Sequence, residues 1–415
     1  WAQAGEPVRD AVARFRRHGG DELERHARFD ALHARFFAAT GATGWQGWPA
    51  AYHDPAGAAV ARFAGEASDE VAFHAFCQWL VGESLEAAQR AARAAGMAIG
   101  LIADLAVGMD SGGSHAWSRR DELLGGLSIG APPDRLGPDG QDWGITGFSP
   151  TALRRTGFDA FIATLRAAID RAGGIRIDHA LGLSRLWVIP AGARSGDGVY
   201  LTMPMADLMR VIAIESTRAR AIVIGEDLGT VPPGVREAMG ERAMLGMRVL
   251  PFERDGDGRF VPPAGYGLET VAMTGTHDLP TIAGWWRARD IDWTWDLGRT
   301  SRAPDEAADR AARDDDKAAF WTAAVDARVA GGTEPSPDEA DRAVDAAVAF
   351  VGSTASVLAI VPMEDIAGVV EQPNVPGTID EHPNWRRRMP AATAQVLARP
   401  GVVARIAGLA AGRRA

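Results

Sequence analysis

Short apolar runs that alternate with helix patterns are the feature that most limits how this chain can fold. Six such runs, each rich in Ile, Val, Leu or Met, lie at 97–107, 173–178, 220–227, 244–252, 268–278 and 355–365. Continuous apolar runs are typical of strands that are buried on both faces, and strands alternating with helices form right-handed parallel βαβ units. The pattern therefore predicts an α/β fold built around a parallel sheet.

The number of predicted strands leaves two architectures open. A closed (β/α)₈ barrel needs eight strands, and six are predicted here. The sheet is therefore either open, or part of a barrel whose first two strands lie upstream of Trp1. The chain begins with Trp rather than Met, which favours a protein that continues upstream.

The segments around these runs predict four divisions of the chain. Residues 1–96 have helical spacing and no convincing buried strand, so we expect a helical subdomain there. We expect the barrel core with its functional strands at 97–286, followed by an acidic helical insertion at 287–350. The last barrel strand and the C-terminal helices are expected at 351–415.

Composition excludes several classes of function. The 44 basic and 54 acidic side chains give a net charge of −10, which argues against a nucleic-acid or membrane-surface partner. The single cysteine, Cys77, excludes an intrachain disulfide framework and any multi-cysteine zinc site. We see neither a secretory leader pattern nor an apolar run of membrane length, and we expect a cytoplasmic protein.

Acidic side chains follow five of the six predicted strands. They are Asp104, Asp178, Glu226, Asp227, Asp278, Glu364 and Asp365. Functional groups of parallel α/β folds gather at the carboxyl ends of the strands, where clustered carboxylates repel each other and lose solvation. A rim built for structure alone has little use for such a cluster, although Asp227 and Asp365 are also suited to capping helices.

Arg176 and Asp178 are two residues apart on one strand, so both side chains point to the same face. An adjacent arginine keeps a carboxylate ionised and oriented, whereas a second carboxylate from a neighbouring strand can remain protonated. Such a pair is the usual minimum for cleaving a glycosidic bond with retention.

A metal hydrolase is the alternative interpretation of the same rim. Its candidate ligands are Asp178, His179, Glu226, His277 and Asp278. These residues fit no known metal-binding spacing, and each isolated histidine is more often a structural residue than a ligand. The spacing alone favours sugar chemistry modestly, and we expect no metal.

Tryptophan is unusually frequent, with 13 Trp against 3 Tyr. Several lie in loops after the rim carboxylates, where an indole could stack on the apolar face of a sugar: Trp117, Trp143, Trp285, Trp286 and Trp385. Trp79 and Trp321 lie in helix patterns and are expected in the core.

Six stretches of the chain carry a family resemblance. They are DLAVG (104–108), LGPDGQDWG (136–144), RIDHALGLSRLW (176–187), IGEDLGTVP (224–232), GTHDLPTIAGWW (275–286) and NVPGTIDEHPNWRRR (374–388). In this order they resemble the 4-α-glucanotransferases, also called amylomaltases or disproportionating enzymes, of the α-amylase clan. The resemblance extends from about residue 20 to 390.

The resemblance implies a (β/α)₈ TIM-type barrel with helical insertions, of which this chain lacks the first two strands. It also implies a retaining, double-displacement mechanism without a cofactor. In that mechanism Asp178 is the nucleophile, Glu226 the general acid and then the base, and Asp278 the stabiliser of the transition state.

The resemblance further implies which residues bind substrate. They are Asp104, Gln141, Trp143, Arg176, His179, His277 and Asn374. The partners would be α-1,4-glucans, namely maltodextrins or fragments of starch or glycogen, together with glucose. The acceptor would be the 4-OH of a second glucan. An α-glucan hydrolase on the same site is the alternative, and a glucan-binding module without catalysis is a more distant one.

Overall fold

The protein, seen in a computed structural model, divides into two compact units. The structure describes residues 1, 3–133, 139–301 and 303–413. The first unit spans Trp1–Met244 and the second spans Leu245–Ala415. Residues 136–138 of the LGPDGQDWG stretch lie outside the described residues.

The first unit combines long helices with two sets of short strands. Its helices are α1 (Glu6–Thr40), α2 (Ala58–Glu66), α3 (Ser68–Ala94), α4 (Ser114–Ser118), α5 (Pro150–Arg155), α6 (Asp159–Ile169), α7 (Met205–Ala219) and α8 (Val235–Gly240). Its strands are β1 (Ile102–Leu105), β2 (Met109–Asp110), β3 (Leu127–Ala131), β4 (Gln141–Thr146), β5 (Gly174–Ile177), β6 (Arg185–Pro190), β7 (Val199–Thr202) and β8 (Ile222–Gly225).

A parallel sheet of β1, β5 and β8 positions the acidic rim of this unit. β5 lies between the other two strands, and its register sets Arg176 opposite Asp104 and Ile177 opposite Gly225. The three strands form where the apolar runs at 97–107, 173–178 and 220–227 predict them, and these predictions are confirmed. The helices α6 and α7 precede β5 and β8 in the chain, as parallel pairing requires.

A second sheet in this unit, which was not predicted from the sequence, has antiparallel strands in the order β2-β4-β3-β6-β7. β2 is only two residues long and β4 contains Gln, Asp, Gly and Thr, so neither has the continuous apolar run that marks the parallel strands. β3 and β4 approach closely at Gly130, where a Cβ atom would lie 1.9 Å from the carbonyl oxygen of Gln141. Only glycine leaves room for the neighbouring strand at that point.

The N-terminal helices form an apolar core of their own. Trp117 of α4 is fully buried there, its indole packs against Phe29 of α1, and its Nε1 donates to the carbonyl of Tyr52. The interpretation of Trp117 as an indole at the rim is therefore wrong. A Gly-rich loop does lead to it, but α1, α2 and α3 supply apolar side chains that cover it.

The second unit has a smaller parallel sheet and a larger proportion of helix. Its strands are β9 (Met244–Val249, starting one residue before the unit), β10 (Thr270–Met273) and β11 (Leu358–Ile360). Its helices are α9 (Ile282–Trp286), α10 (Arg289–Asp296), α11 (Glu306–Asp326), α12 (Ala340–Gly352), α13 (Met363–Ala367), α14 (Thr393–Leu397) and α15 (Pro400–Gly412).

β10 is the central strand of this sheet and pairs in parallel with both β9 and β11. The runs at 244–252, 268–278 and 355–365 thus contain the strands that they predict, and with the first unit they confirm an α/β fold. Within the part of the chain that the structure describes, no helix is long and apolar enough to cross a membrane.

Trp285 and Trp286 are core residues of the second unit, where rim positions were expected. Trp286 is 0% exposed and Trp285 is 9% exposed, and both contact Phe320 of α11. The rim interpretation of this pair is wrong because α11 and α12 cover α9 with apolar side chains. Trp321 lies in the same core, as expected.

Replacing Trp286 by Ala is expected to lower the free energy of unfolding by about 3–5 kcal/mol, because it leaves a large cavity in a filled core. The same change at Trp385, which is 63% exposed, is expected to cost less than about 1 kcal/mol. Urea denaturation followed by circular dichroism measures both. Equal losses in the two variants would contradict the assignment of Trp286 to the core.

Candidate active site

The backbone hydrogen bonds of the first unit continue one residue beyond the parallel strands. The N–H of Asp178 donates to the carbonyl of Leu105 at 2.9 Å, and the N–H of Glu226 donates to the carbonyl of Ile177 at 3.0 Å. Both acidic residues therefore stand at the carboxyl ends of adjacent strands, where their positions are fixed by the main chain.

Arg176 joins two of the carboxylates at this rim. Its Nη1 donates to Asp104 Oδ1 and its Nη2 to Asp178 Oδ1, each at 2.8 Å. Burial alone would lower the pKa of Arg176, but its hydrogen bond to Asp104 and the surrounding negative charges outweigh it and raise that pKa. The guanidinium therefore stays charged and orients Asp178, whose side chain is 39% exposed.

Glu226 is in a different environment from Asp178. Burial raises the pKa of its carboxyl group, and the negative charge of Asp178 adds to that increase. The backbone N–H groups of Leu228 and His179 donate to Oε1 and Oε2 at 2.8 and 2.9 Å and act in the opposite direction. The net effect is a raised pKa, so this acid keeps its proton to higher pH than an ordinary glutamate.

His179 is held in a strained conformation beside these acids. Its φ of +44° is left-handed, which costs energy for a residue other than glycine and is frequent at functional sites. Burial lowers the pKa of its imidazole, which favours the neutral ring. The ring makes an edge contact with Trp143, with centroids 5.3 Å apart, and Trp143 Nε1 donates to Gln141 Oε1 at 2.9 Å.

The second unit carries a further set of predicted site residues on the loop after β10. Asn374 Nδ2 donates to Asp278 Oδ1 at 2.6 Å, and His277 Nε2 lies 3.3 Å from Asp278 Oδ2. The ring of His277 lies 5.3 Å from that of Trp385. The structure therefore brings Asp278, His277 and Asn374 together, with an exposed indole beside them.

The loop that carries Asn374 and Trp385 is tightly held. Glu371, at its start, accepts hydrogen bonds from Arg289 and from Trp293 Nε1 at 2.8 and 2.9 Å. Asn384 Oδ1 accepts from the N–H of Val375, and the N–H of Trp385 donates to the carbonyl of Pro373, both at 2.9 Å.

A cavity of about 930 Å³ opens next to this loop and is lined in part by His277, Trp385 and Arg388. Trp385 itself has a left-handed φ of +59°. A large indole held in a strained conformation beside a cavity is the kind of feature that stacks on a ligand.

Asp227 is not a helix cap. It is fully buried and accepts from Arg236 Nε at 2.7 Å, and the N-cap of α8 is Gly234. Asp365 lies in the first turn of α13 and accepts from the N–H of Ile282 at the start of α9, so the expected position at a helix end is met for this residue. No sequence pattern identifies Arg236 as the partner of Asp227, because it lies nine residues away in a separate element.

Among the residues that the structure describes, no group of three or more His, Cys, Asp or Glu side chains is arranged to hold a metal ion.

A family model described as 4-alpha-glucanotransferase matches residues 2–394. This chain belongs to the 4-alpha-glucanotransferase family. The resemblance of its six motifs to that family is thereby confirmed.

Relatives in this family are similar over most of the chain. The 4-alpha-glucanotransferase of Mycobacterium tuberculosis H37Rv is 38% identical over 382 residues, which are 91% of this chain and 51% of that protein. The Haemophilus influenzae 4-alpha-glucanotransferase is 37% identical over 294 residues, 70% of this chain and 42% of that protein. The chain thus spans about half the length of the curated relatives it matches.

Solved amylomaltases share the fold. The structure from Corynebacterium glutamicum matches with a TM-score of 0.79 and 30% identity, over 92% of this chain and 52% of that one. An amylomaltase from Streptococcus agalactiae, solved in complex with acarbose, matches with a TM-score of 0.79 and 20% identity. That match covers 98% of this chain and 75% of the other, and it shows the fold alone.

Replacing Asp178 by Asn is expected to lower the pKa of Glu226, because the charge of Asp178 is one of the causes that raise it. A titration of the ¹³C-labelled carboxyl of Glu226, assigned through an E226Q sample, measures the shift. Asp170→Asn, at the end of α6, removes an exposed charge and is expected to leave the titration unchanged. An unchanged or raised midpoint in D178N would contradict the electrostatic coupling.

Proposed function

We propose that this protein is a retaining 4-α-glucanotransferase, which moves α-1,4-glucan segments from one maltodextrin to the 4-OH of another. The observation that carries the proposal is Glu226, an acid of raised pKa, on the strand next to Asp178, which Arg176 orients. A carboxyl group of raised pKa beside a carboxylate that an arginine orients, at adjacent strand ends, meets the requirements of a retaining glycosidase.

The first step forms a covalent intermediate. An Oδ of Asp178 attacks the anomeric carbon of the donor as the glycosidic C–O bond breaks, and the proton of Glu226 passes to the departing oxygen. The products are a glycosyl ester on Asp178, a shortened glucan with a free 4-OH, and an ionised Glu226. Arg176 keeps Asp178 oriented for this attack, and the raised pKa of Glu226 favours the protonated form that donates to the departing oxygen.

The second step reverses the first with a new partner. The carboxylate of Glu226 takes the proton from the 4-OH of an acceptor glucan, whose oxygen then attacks the anomeric carbon and releases Asp178. Transfer exceeds hydrolysis if the acceptor region binds sugar and excludes water from the ester. We assign Gln141 and Trp143 to this region because their motif matches the family. The ring contact of Trp143 with His179 and its hydrogen bond to Gln141 support the assignment.

The remaining site residues take the roles that their motifs have in the family. Asp278 would stabilise the charged transition state, and its hydrogen bond from Asn374 would orient it. His179, His277 and Asp104 would contact sugar hydroxyls. The Streptococcus agalactiae amylomaltase was solved with acarbose, which supports α-glucans and glucose as ligands of this protein.

We also propose, from the membership of the chain in this family, how its strands fit into a complete domain. The parallel strands would belong to a (β/α)₈ barrel whose first two strands precede Trp1, and the protein would act in the cytoplasm. The division into 1–96, 97–286, 287–350 and 351–415 stays a prediction. The run of helices α10, α11 and α12 between β10 and β11 supports the boundary of the helical insertion.

Incubation of the full-length protein with maltotriose distinguishes the two reactions. A transferase is expected to produce glucose together with a series of longer maltodextrins, because the glycosyl ester is resolved by another glucan. Chromatography of the products measures this. Shortened products alone would overturn the transferase proposal in favour of an α-glucan hydrolase.

Glu226→Gln is expected to lower the rate of maltotriose conversion about 10²–10⁴-fold, because the leaving oxygen is no longer protonated. With maltotriosyl α-fluoride, whose fluoride leaves without a proton, E226Q should still form the ester on Asp178 and accumulate it. Mass spectrometry of the intact protein detects the adduct. D178N should form none, D170N should behave as the wild type, and an adduct on D178N would remove Asp178 from the role of nucleophile.

A further inference from the structure

A single buried carboxylate joins both ends of the loop that carries His277 and Asp278. Asp365 is 1% exposed and accepts from Thr274 Oγ1 at 2.6 Å and from the N–H of Ile282 at 2.7 Å. Thr274 is the first residue after β10, and Ile282 is the first residue of α9. The two bonds therefore close the loop of residues 274–281 across one side chain.

Burying the carboxylate of Asp365 costs free energy of desolvation, which argues that this residue has a specific role. Burial raises the pKa of Asp365 to about 6, although its bonds from Thr274 and Ile282 oppose the increase. An apolar residue would fill the same space without that cost, but it could not accept two hydrogen bonds at once. The role of the carboxylate is therefore to hold its two donors, Thr274 and Ile282, in fixed positions.

The segment around Asp365 is itself fixed by the C-terminal helix. Arg405 of α15, which is 7% exposed, donates from Nη1 to the carbonyls of Asp365 and Ile366 at 3.2 and 2.8 Å. Its Nε donates to Asp345 of α12 at 2.7 Å. Arg405 thus links the backbone around Asp365 to the packed helices α12 and α15. The carboxylate that binds the loop is therefore itself held in place.

We propose that Asp365 is a positioning residue, which fixes the loop of residues 274–281 so that His277 and Asp278 are correctly placed for glucan transfer. The inference rests on the proposed role of Asp278. Asp365 lies outside the six family motifs, and it would act through the loop rather than by contact with the sugar. Displacement of a reacting group by about 1 Å can reduce a rate about 10²-fold, so a small shift of this loop suffices.

The side chains offer a graded series of variants. Asp365→Ala leaves the hydroxyl of Thr274 and the N–H of Ile282 without an acceptor. Asp365→Asn retains both contacts, because Oδ1 can accept the N–H and Nδ2 can donate to Thr274 Oγ1 once the hydroxyl rotates. Thr274→Val removes one donor at nearly constant volume, and Thr274→Ser keeps it.

With maltotriose and the full-length protein, we expect kcat of D365A and T274V to fall about tenfold or more, with KM changed less than about twofold. D365N and T274S should keep kcat within about threefold of the wild type. Steady-state kinetics measures these values at a temperature where circular dichroism shows each variant to be folded. If D365A does not fold, T274V and T274S still test the proposal.

Asp309 provides a matched control in the same unit. It also accepts from a hydroxyl and from a neutral N–H, those of Ser301 and Trp295, at 2.7 and 3.1 Å. Asp309→Ala removes an equivalent carboxylate from α11 rather than from the loop. It is expected to keep the kcat of the wild type.

A double-mutant cycle with Asp278→Asn separates positioning from a general loss of structure. If Asp365 acts through Asp278, D365A should lower the residual activity of D278N much less than it lowers wild-type activity. Equal losses in both backgrounds, or wild-type kcat in folded D365A and T274V, would overturn the inference. Wild-type activity in D278N would instead refute the proposed role of Asp278.

Discussion

The acidic rim of the first unit depends on the backbone ladder that joins β1, β5 and β8. That ladder continues past the strands, so the main chain of Leu105 holds Asp178 and the main chain of Ile177 holds Glu226. The positions of these two acids are therefore set by peptide groups, whose geometry does not change when a side chain does. Any substitution that shifts the register of β5 would move both acids at once.

Electrostatics then gives these two acids different properties. Asp178 is partly exposed and paired with an arginine, whereas Glu226 is removed from water and lies near the charge of its neighbour. One carboxylate is suited to nucleophilic attack and the other to holding a proton. These roles do not follow from the residue types alone. They follow from the different surroundings that two adjacent strands give to the two side chains. The same logic applies to His179, which burial favours in its neutral form.

The sequence was most informative where a local pattern of residues, such as an apolar run or a spacing of two on a strand, determines the structure. The six parallel strands could be predicted from their apolar runs, and the contact between Arg176 and Asp178 from a spacing of two on a strand. The antiparallel sheet was not predicted, because strands such as β2, with two residues, and β4, with polar residues and a glycine, resemble loops in sequence. Trp117 and Trp286 were misplaced because a loop-like neighbourhood does not reveal which distant helices will cover an indole. Asp365 was predicted as a rim acid or a helix cap, but its two donors could not be predicted, since they lie more than 80 residues away in the sequence.

Gly130 limits how the strand that carries Gln141 and Trp143 can be redesigned. This strand lies so close to the glycine that a single methyl group would collide with the Gln141 carbonyl. Libraries directed at β4 side chains can explore new contacts, whereas diversity at position 130 would displace the strand. The backbone spacing here limits which mutations are accessible, so the side chains of β4 can vary while the glycine behind them cannot.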